Sequence, residues 1–316
     1  LEKGFAPNAK ILDAPFVIDQ GADLGKWSPT NYSNKFYGLS TMRLGLEKSR
    51  NLMTIRLAQM VGIESIVNKA TKLNISDNLD PVLSMALGAG ETTLQRLTVA
   101  YAMLVNGGKK IAPSLIDRVQ NRNGETIEKH DNRLCINCSI ENLDPTLEPE
   151  IVNTQEQIID PVHAYQVVSM LEGAVLRGTG KKVSVIKKPL AGKTGTTNDS
   201  NDTWFIGFSP DLVVGIYVGF DTPKSLGPRE TGASVASPIF RDFMYLALEK
   251  KEVAPFRIPS KAQLVKINLK TGEIANKNDK DIILEAFVSD SKINEFIKEK
   301  SSSKLKNDIQ GFGGLY

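Results

Sequence analysis

A chain of 316 residues, 41% hydrophobic and 24% charged, has an ordinary globular composition and can bury a large core, as one big domain or one and a half. The net charge is only +3 with both signs interspersed, so no nucleic-acid footprint is present and no nucleic-acid partner is expected. No run reaches the roughly 18 uninterrupted apolar residues of a membrane span, and no signal peptide is recognisable.

The first 40 residues are rich in Pro, Gly, Asn and aromatics, and "WSPTNYSNKFYG" (Trp27 to Gly38) reads as an irregular loop. From Thr41 the pattern turns helical: one helix ends at Ser49, a second runs from Leu52 to Gly62, and a third covers about Glu64 to Leu73. A capped helix is predicted from about Thr93 to Val105, stopped by Gly107-Gly108. A β-hairpin turning at Asn123-Gly124 comes next, and then a polar excursion from Asp131 to Gln157.

That excursion holds both cysteines, as Cys135-Ile136-Asn137-Cys138. One Cys-x-x-Cys cannot supply the four ligands of a zinc ribbon. His130 is near in sequence, but the only other histidine, His163, lies in a separate segment. A local disulfide in an oxidising compartment is the preferred reading, ahead of a reduced, inert pair and, last, a metal site or redox centre. No metal and no cofactor is expected.

Asp160-Pro161 is a cap followed by proline at the first helical position, predicting a helix through Leu176. Three strand-like runs come after it: Pro189 to Thr196, Thr203 to Phe208 and Leu212 to Phe220. The last two are joined by a Ser209-Pro210-Asp211 turn and should be antiparallel neighbours. A helix is predicted from about Val235 to Glu249. Beyond Pro259 the text is Lys-rich and less patterned, and "KEKSSSKLKND" reads as a flexible tail. Helices flanking a small antiparallel sheet make the fold class α/β, in its α+β form.

Gly192-Lys193-Thr194 has two possible meanings. A phosphate-binding loop, G-x-x-x-x-G-K-[ST], would need glycine at position 187, where this chain has Lys187. Without it the backbone cannot turn its N–H groups onto phosphate, and the residues after Thr194 do not open a helix. The alternative is a Lys-Thr-Gly strand of a serine acyl-transfer site, which requires Ser-x-Asn and Ser-x-x-Lys partners. Ser49-Arg50-Asn51 supplies the first, between two helices where a short loop can present side chains to a cleft. On local grounds alone, a cap for the helix beginning near Leu52 is the better reading of Ser49.

The wider text decides between them. "LGLEKSRNLMTIRLAQMVG", "ALGAGETTLQRLTVAYAMLVNGG", "LRGTG", "GKTGTTNDSNDTWFIGFSPDLVVGIYVGFD" and the closing "GGLY" together resemble the transpeptidase domain of class A penicillin-binding proteins, type 1A of Gram-negative bacteria in particular. The resemblance spans nearly the whole chain. It implies the penicillin-binding-protein and serine β-lactamase-like fold, an antiparallel sheet flanked by helices. Residues 1–258 are read as a partial transpeptidase domain, and 259–316 as a C-terminal extension and flexible tail.

The resemblance implies D,D-transpeptidation: a serine is acylated by a peptidoglycan stem peptide ending in D-Ala-D-Ala, and a neighbouring stem's amine takes the acyl group. β-Lactams mimic that terminus. By the same resemblance Ser49 relays protons, and Lys193 supplies a cation that also helps bind the terminal carboxylate. Asn51 holds the donor peptide's backbone. Thr194 and Thr196 offer hydroxyls to the carboxylate, and the Thr196 N–H forms half of an oxyanion hole. Gly195 lets ligand lie close to the strand. Trp204 is assigned to core packing rather than to ligand. The parent is expected at the periplasmic face of the inner membrane, with a glycosyltransferase domain and cell-wall synthesis proteins as partners. A carboxypeptidase or β-lactamase of the same fold and a non-catalytic peptidoglycan-binding module are the alternatives.

The nucleophile is missing. Upstream of Ser49 the serines are Ser28, Ser33 and Ser40, with Asn31, Phe36 and Arg43 three places on. Ser184/Lys187, Ser289/Lys292 and Ser301/Lys304 fall after Ser49 in the wrong order and are taken as chance. The opening "LEKGFAPNAKILDAP" resembles the family's segment immediately C-terminal to the nucleophile helix, so we expect an N-terminal truncation and a chain that cannot itself be acylated.

Overall fold

The computed structural model describes residues 1–19, 25–131, 133–138, 148–152 and 154–289. The tail from "KEKSSSKLKND" onward, the "GGLY" terminus, Lys292 and the Ser301/Lys304 pair lie outside the described residues.

Short strands interrupt the N-terminal stretch that reads as irregular. They are β1 (Lys10–Asp13), β2 (Ile18–Asp19), β3 (Lys26–Trp27) and β4 (Gly38–Thr41), with β1 paired to β4 and β2 to β3. Between β3 and β4 the chain is irregular, as expected. Helix α1 (Met42–Glu47) starts at Thr41, whose hydroxyl accepts from the Leu44 N–H. Helix α2 (Asn51–Val61) ends at Gly62, which adopts a φ of 84°. Helix α3 (Ile63–Lys72) then starts, with Glu64 in its first turn and Lys69 and Lys72 in its last, as the helix dipole favours.

Helix α4 (Leu94–Val105) is capped by Thr93, which accepts from the Arg96 N–H, and it stops before two left-handed glycines, Gly107 and Gly108. The hairpin β5 (Arg118–Gln120) and β6 (Thr126–Lys129) forms where expected. In the polar excursion β7 (Leu134–Ile136) pairs with β8 (Glu150–Val152), and Cys135 and Cys138 are joined as a disulfide.

Helix α5 (Pro161–Leu176) is the spine of the molecule. Asp160 caps it by accepting from the Val162 and His163 N–H groups, and Val162, Ala164, Val168, Met170, Leu171, Ala174 and Val175 are all buried. A helix apolar on most sides belongs inside. One of its flanks meets the central sheet, formed by β9 (Ala191–Thr196), β10 (Asp202–Phe208) and β11 (Val213–Gly219) in the order β11-β10-β9, all antiparallel. Helix α6 (Ala236–Ala247) covers that sheet, and Phe240 and Met244 pack on Phe205 and Val175.

The Lys-rich, less patterned text after Pro259 holds two paired strands, β12 (Ala262–Asn268) and β13 (Ile282–Val288). They dock on the domain through buried polar contacts. Arg43 of α1 donates from Nε and Nη2 to both carboxylate oxygens of Glu285, each at 2.5 Å. Gln166 of α5 donates to the Ala286 carbonyl at 2.8 Å, and Asn8 to the Gly272 carbonyl at 2.8 Å. Glu285 sits fully buried in a run where Ala286 and Phe287 are buried as well. A charged residue facing inward breaks the alternation by which strands are recognised.

Candidate active site

Strand β9 presents the Lys-Thr-Gly residues. In register, Lys193 lies opposite Ile206, Thr194 opposite Phe205, Gly195 opposite Trp204 and Thr196 opposite Thr203. The loop between α1 and α2 faces it. The Lys193 ammonium donates to Ser49 Oγ at 2.7 Å and to the Thr194 carbonyl at 2.9 Å. Residues 144 positions apart are thus joined directly. Burial pushes the Lys193 amine down from the usual lysine range to about 8.

Ser49 does not cap α2. The cap position is Arg50, without a side-chain bond, and the Leu52 N–H is satisfied by Asn31 Oδ1 at 3.3 Å, from a distant loop. Asn31 in turn donates to the buried Asp13 carboxylate at 2.8 Å, and Arg50 Nε approaches the same carboxylate at 3.7 Å. Arg50 also donates to Ser40 Oγ at 2.7 Å and stacks over Tyr37, 4.1 Å from the ring centre. The middle residue of Ser-Arg-Asn is therefore the anchor that holds its two neighbours. Ser49 itself is left-handed, with φ at 53°. Asn34, Asp199 and Ser200 are left-handed too, and all four line one cleft. Such backbone outliers gather at functional sites.

The cleft has a volume of about 830 Å³, the size of a small-ligand pocket. Ser49, Asn51, Thr194 and Thr196 line it. Lys193 reaches it through Ser49. Asn51 donates to the Thr30 carbonyl at 2.9 Å. Thr196 Oγ1 accepts from the Gly232 N–H at 3.0 Å, from the turn that closes over β9. Gly195 faces Trp204: a side chain there would place its Cβ 3.1 Å from Trp204 Cβ. Trp204 packs edge-on against Tyr217 and donates to Asp202 Oδ1 at 3.0 Å. Neither Trp204 nor Gly195 lines the cleft.

Residues without a sequence-derived role complete the walls. Thr179, in the "RGTG" segment after α5, accepts a hydrogen bond from the Thr194 hydroxyl at 2.8 Å. Tyr32, Asn34 and Asp199 line the cleft from two loops. The "LRGTG" text pointed to this neighbourhood only through resemblance, because nothing local marks its threonine. Among the described residues no three His, Cys, Asp or Glu side chains gather as metal ligands.

The family described as penicillin-binding protein transpeptidase domain matches residues 1–245, and the chain belongs to that family. Penicillin-binding protein 1A of Rickettsia conorii is 45% identical over 278 residues, which are 87% of this chain and 35% of that protein. Penicillin-binding protein 1A of Pseudomonas aeruginosa is 34% identical over 310 residues, covering 87% of this chain and 37% of that protein. The crystal structure of penicillin-binding protein 1A from Haemophilus influenzae superposes with a TM-score of 0.78 at 28% identity, covering 92% of this chain and 46% of that one. The chain thus spans little more than a third of the length of these curated relatives. The expected fold, helices around an antiparallel sheet of the penicillin-binding-protein type, is the one observed.

Proposed function

We propose that this chain carries the peptide-binding half of a serine D,D-transpeptidase site, which cross-links peptidoglycan stem peptides and is blocked by β-lactams. The observation that carries the reading is the 2.7 Å bond between Lys193 and Ser49, which couples the two motifs the reaction needs. In the reaction a serine hydroxyl attacks the carbonyl between the two D-alanines. The terminal D-alanine leaves with a proton, and the amine of a second stem then displaces the serine and forms the new amide.

Ser49 suits proton relay, since its oxygen accepts from Lys193 while its own O–H stays available. Lys193 supplies positive charge toward the substrate carboxylate, and Asn51 holds the donor backbone. Thr196 offers a hydroxyl and, through its N–H, half of an oxyanion hole. Gly195 keeps the strand narrow against Trp204.

No Ser-x-x-Lys precedes Ser49 in this sequence. With neither that nucleophile nor its lysine base among the residues before Ser49, the reading makes this chain on its own one that penicillin does not acylate. The parent works at the outer face of the inner membrane with a glycosyltransferase domain and further cell-wall synthesis proteins. An exposed disulfide fits the oxidising compartment there. Among the described residues no helix is long and apolar enough to cross a membrane.

Labelling with a fluorescent penicillin tests the reading. The full-length parent is expected to give a covalent band that unlabelled penicillin competes away, and the 316-residue chain is expected to give none. A band on the chain alone would return the later Ser/Lys pairs to consideration, and no band on the parent would refute the assignment.

A further inference from the structure

Three of the cleft hydroxyls, each on β9 or bonded to a β9 residue, share one arrangement: each is used by the protein as an acceptor only. Ser49 Oγ accepts from Lys193, Thr196 Oγ1 from the Gly232 N–H, and Thr179 Oγ1 from the Thr194 hydroxyl. Each of the three lines the cleft, and among the described residues none donates its own proton to a protein acceptor. Thr194, beside them on β9, differs because its proton is directed to Thr179. A hydroxyl has one proton to give and two lone pairs to receive with. Three such protons are therefore left for a ligand.

From this we infer that Thr179 is a further substrate-binding residue, donating its hydroxyl to the terminal carboxylate of the bound peptide, with Thr194 acting behind it as its orienting donor. The inference rests on the transpeptidase reading given above and deepens it. Thr194 polarises Thr179 in a short chain of hydrogen bonds, and a bond from a neutral hydroxyl to a carboxylate is stronger than one between neutral groups.

The surroundings hold Thr179 in place for such a role. Its N–H donates to the Glu47 carbonyl at 3.2 Å, and both flanking glycines, Gly178 and Gly180, donate to the Ala174 carbonyl at 3.0 Å. The buried Glu47 carboxylate accepts from Arg177 Nη2 at 2.5 Å and Nε at 3.2 Å, and Lys48 donates back to the Arg177 carbonyl. This pair ties the "RGTG" segment to the end of α1, two residues before Ser49. Gly173 and Gly178 make the approach possible, because a Cβ on either would run into Glu47. Threonine's branched Cβ further restricts χ1, and with it the position of Oγ1.

The test is an NMR titration of the 316-residue chain with two probes: an N-acetylated peptide ending in D-Ala-D-Ala, and the same peptide with a C-terminal amide. The chain is expected to prefer the carboxylate. Thr179→Val, nearly the same shape without a hydroxyl, should weaken the carboxylate probe about tenfold and leave the amide probe unchanged, as loss of one bond to a charged group predicts. Thr179→Ser should retain the preference. Unchanged carboxylate affinity in Thr179→Val overturns the inference. Equal weakening of both probes, or equal weakening in the Val and Ser variants, assigns Thr179 to structure alone and also overturns it. If the unaltered chain binds neither probe, the transpeptidase reading itself fails and takes the inference with it.

Discussion

Lys193 shows how one side chain acquires its properties from its position in the fold. Burial lowers its amine to about 8, so near neutrality the ammonium is still the main form but carries a desolvation cost. A lysine with a depressed folded-state value binds fewer protons than the unfolded chain between about 8 and its ordinary 10.5. Stability must therefore rise with pH across that window, and the penalty is fully present below it. Urea denaturation of the chain and of Lys193→Met, at about pH 7 and about pH 10, checks this. The stability difference should shift toward the lysine protein at the higher pH, and a difference independent of pH would contradict it. The site residues on Lys-Thr-Gly and Ser-Arg-Asn were legible because a motif is a local string. Thr179 was not assigned a role, because its importance depends on a hydroxyl 15 residues away in sequence.

Among the elements, the well-capped helices were the most readable. Thr93 and Asp160 do locally what their side chains predict, and Asp160→Ala should cost about 1 kcal/mol in a urea melt. Ser49 was ambiguous for the same reason: a serine before a helix looks like a cap. A distant asparagine, Asn31, took that task and left Ser49 free for Lys193. Strands β12 and β13 were unreadable because their docking is ionic at its centre. Arg43 and Glu285 are fully paired and buried, and Arg43 also donates to the Ser169 carbonyl at 3.0 Å. Glu285→Ala removes the bidentate partner of a buried guanidinium, leaving it only the longer carboxylate contact, to Glu47 at 3.4 Å, and should cost about 3 kcal/mol. The double change Arg43→Met with Glu285→Leu should cost clearly less, and chemical denaturation of the two variants makes the comparison.

At the scale of the whole molecule, the β12–β13 pair is bonded to the residues before it through Arg43–Glu285 and Gln166–Ala286. Removing everything after Ile258 would strip Glu285 from Arg43 and the Ala286 carbonyl from Gln166. Such a truncated chain is expected to unfold at a much lower urea concentration than the full chain, and an unchanged midpoint would mean that residues 259–316 are a separate extension, as the sequence alone suggests. Helix periods, caps, the antiparallel β10–β11 pair and the two motifs were determined by the sequence itself, because each depends on neighbours within a few residues. Which serine meets which lysine, which threonine keeps a proton for a ligand, and where the C-terminal strands dock were decided only by tertiary structure. Those outcomes depend on desolvation and on hydrogen bonds between segments that become neighbours only when α5 and the sheet have packed.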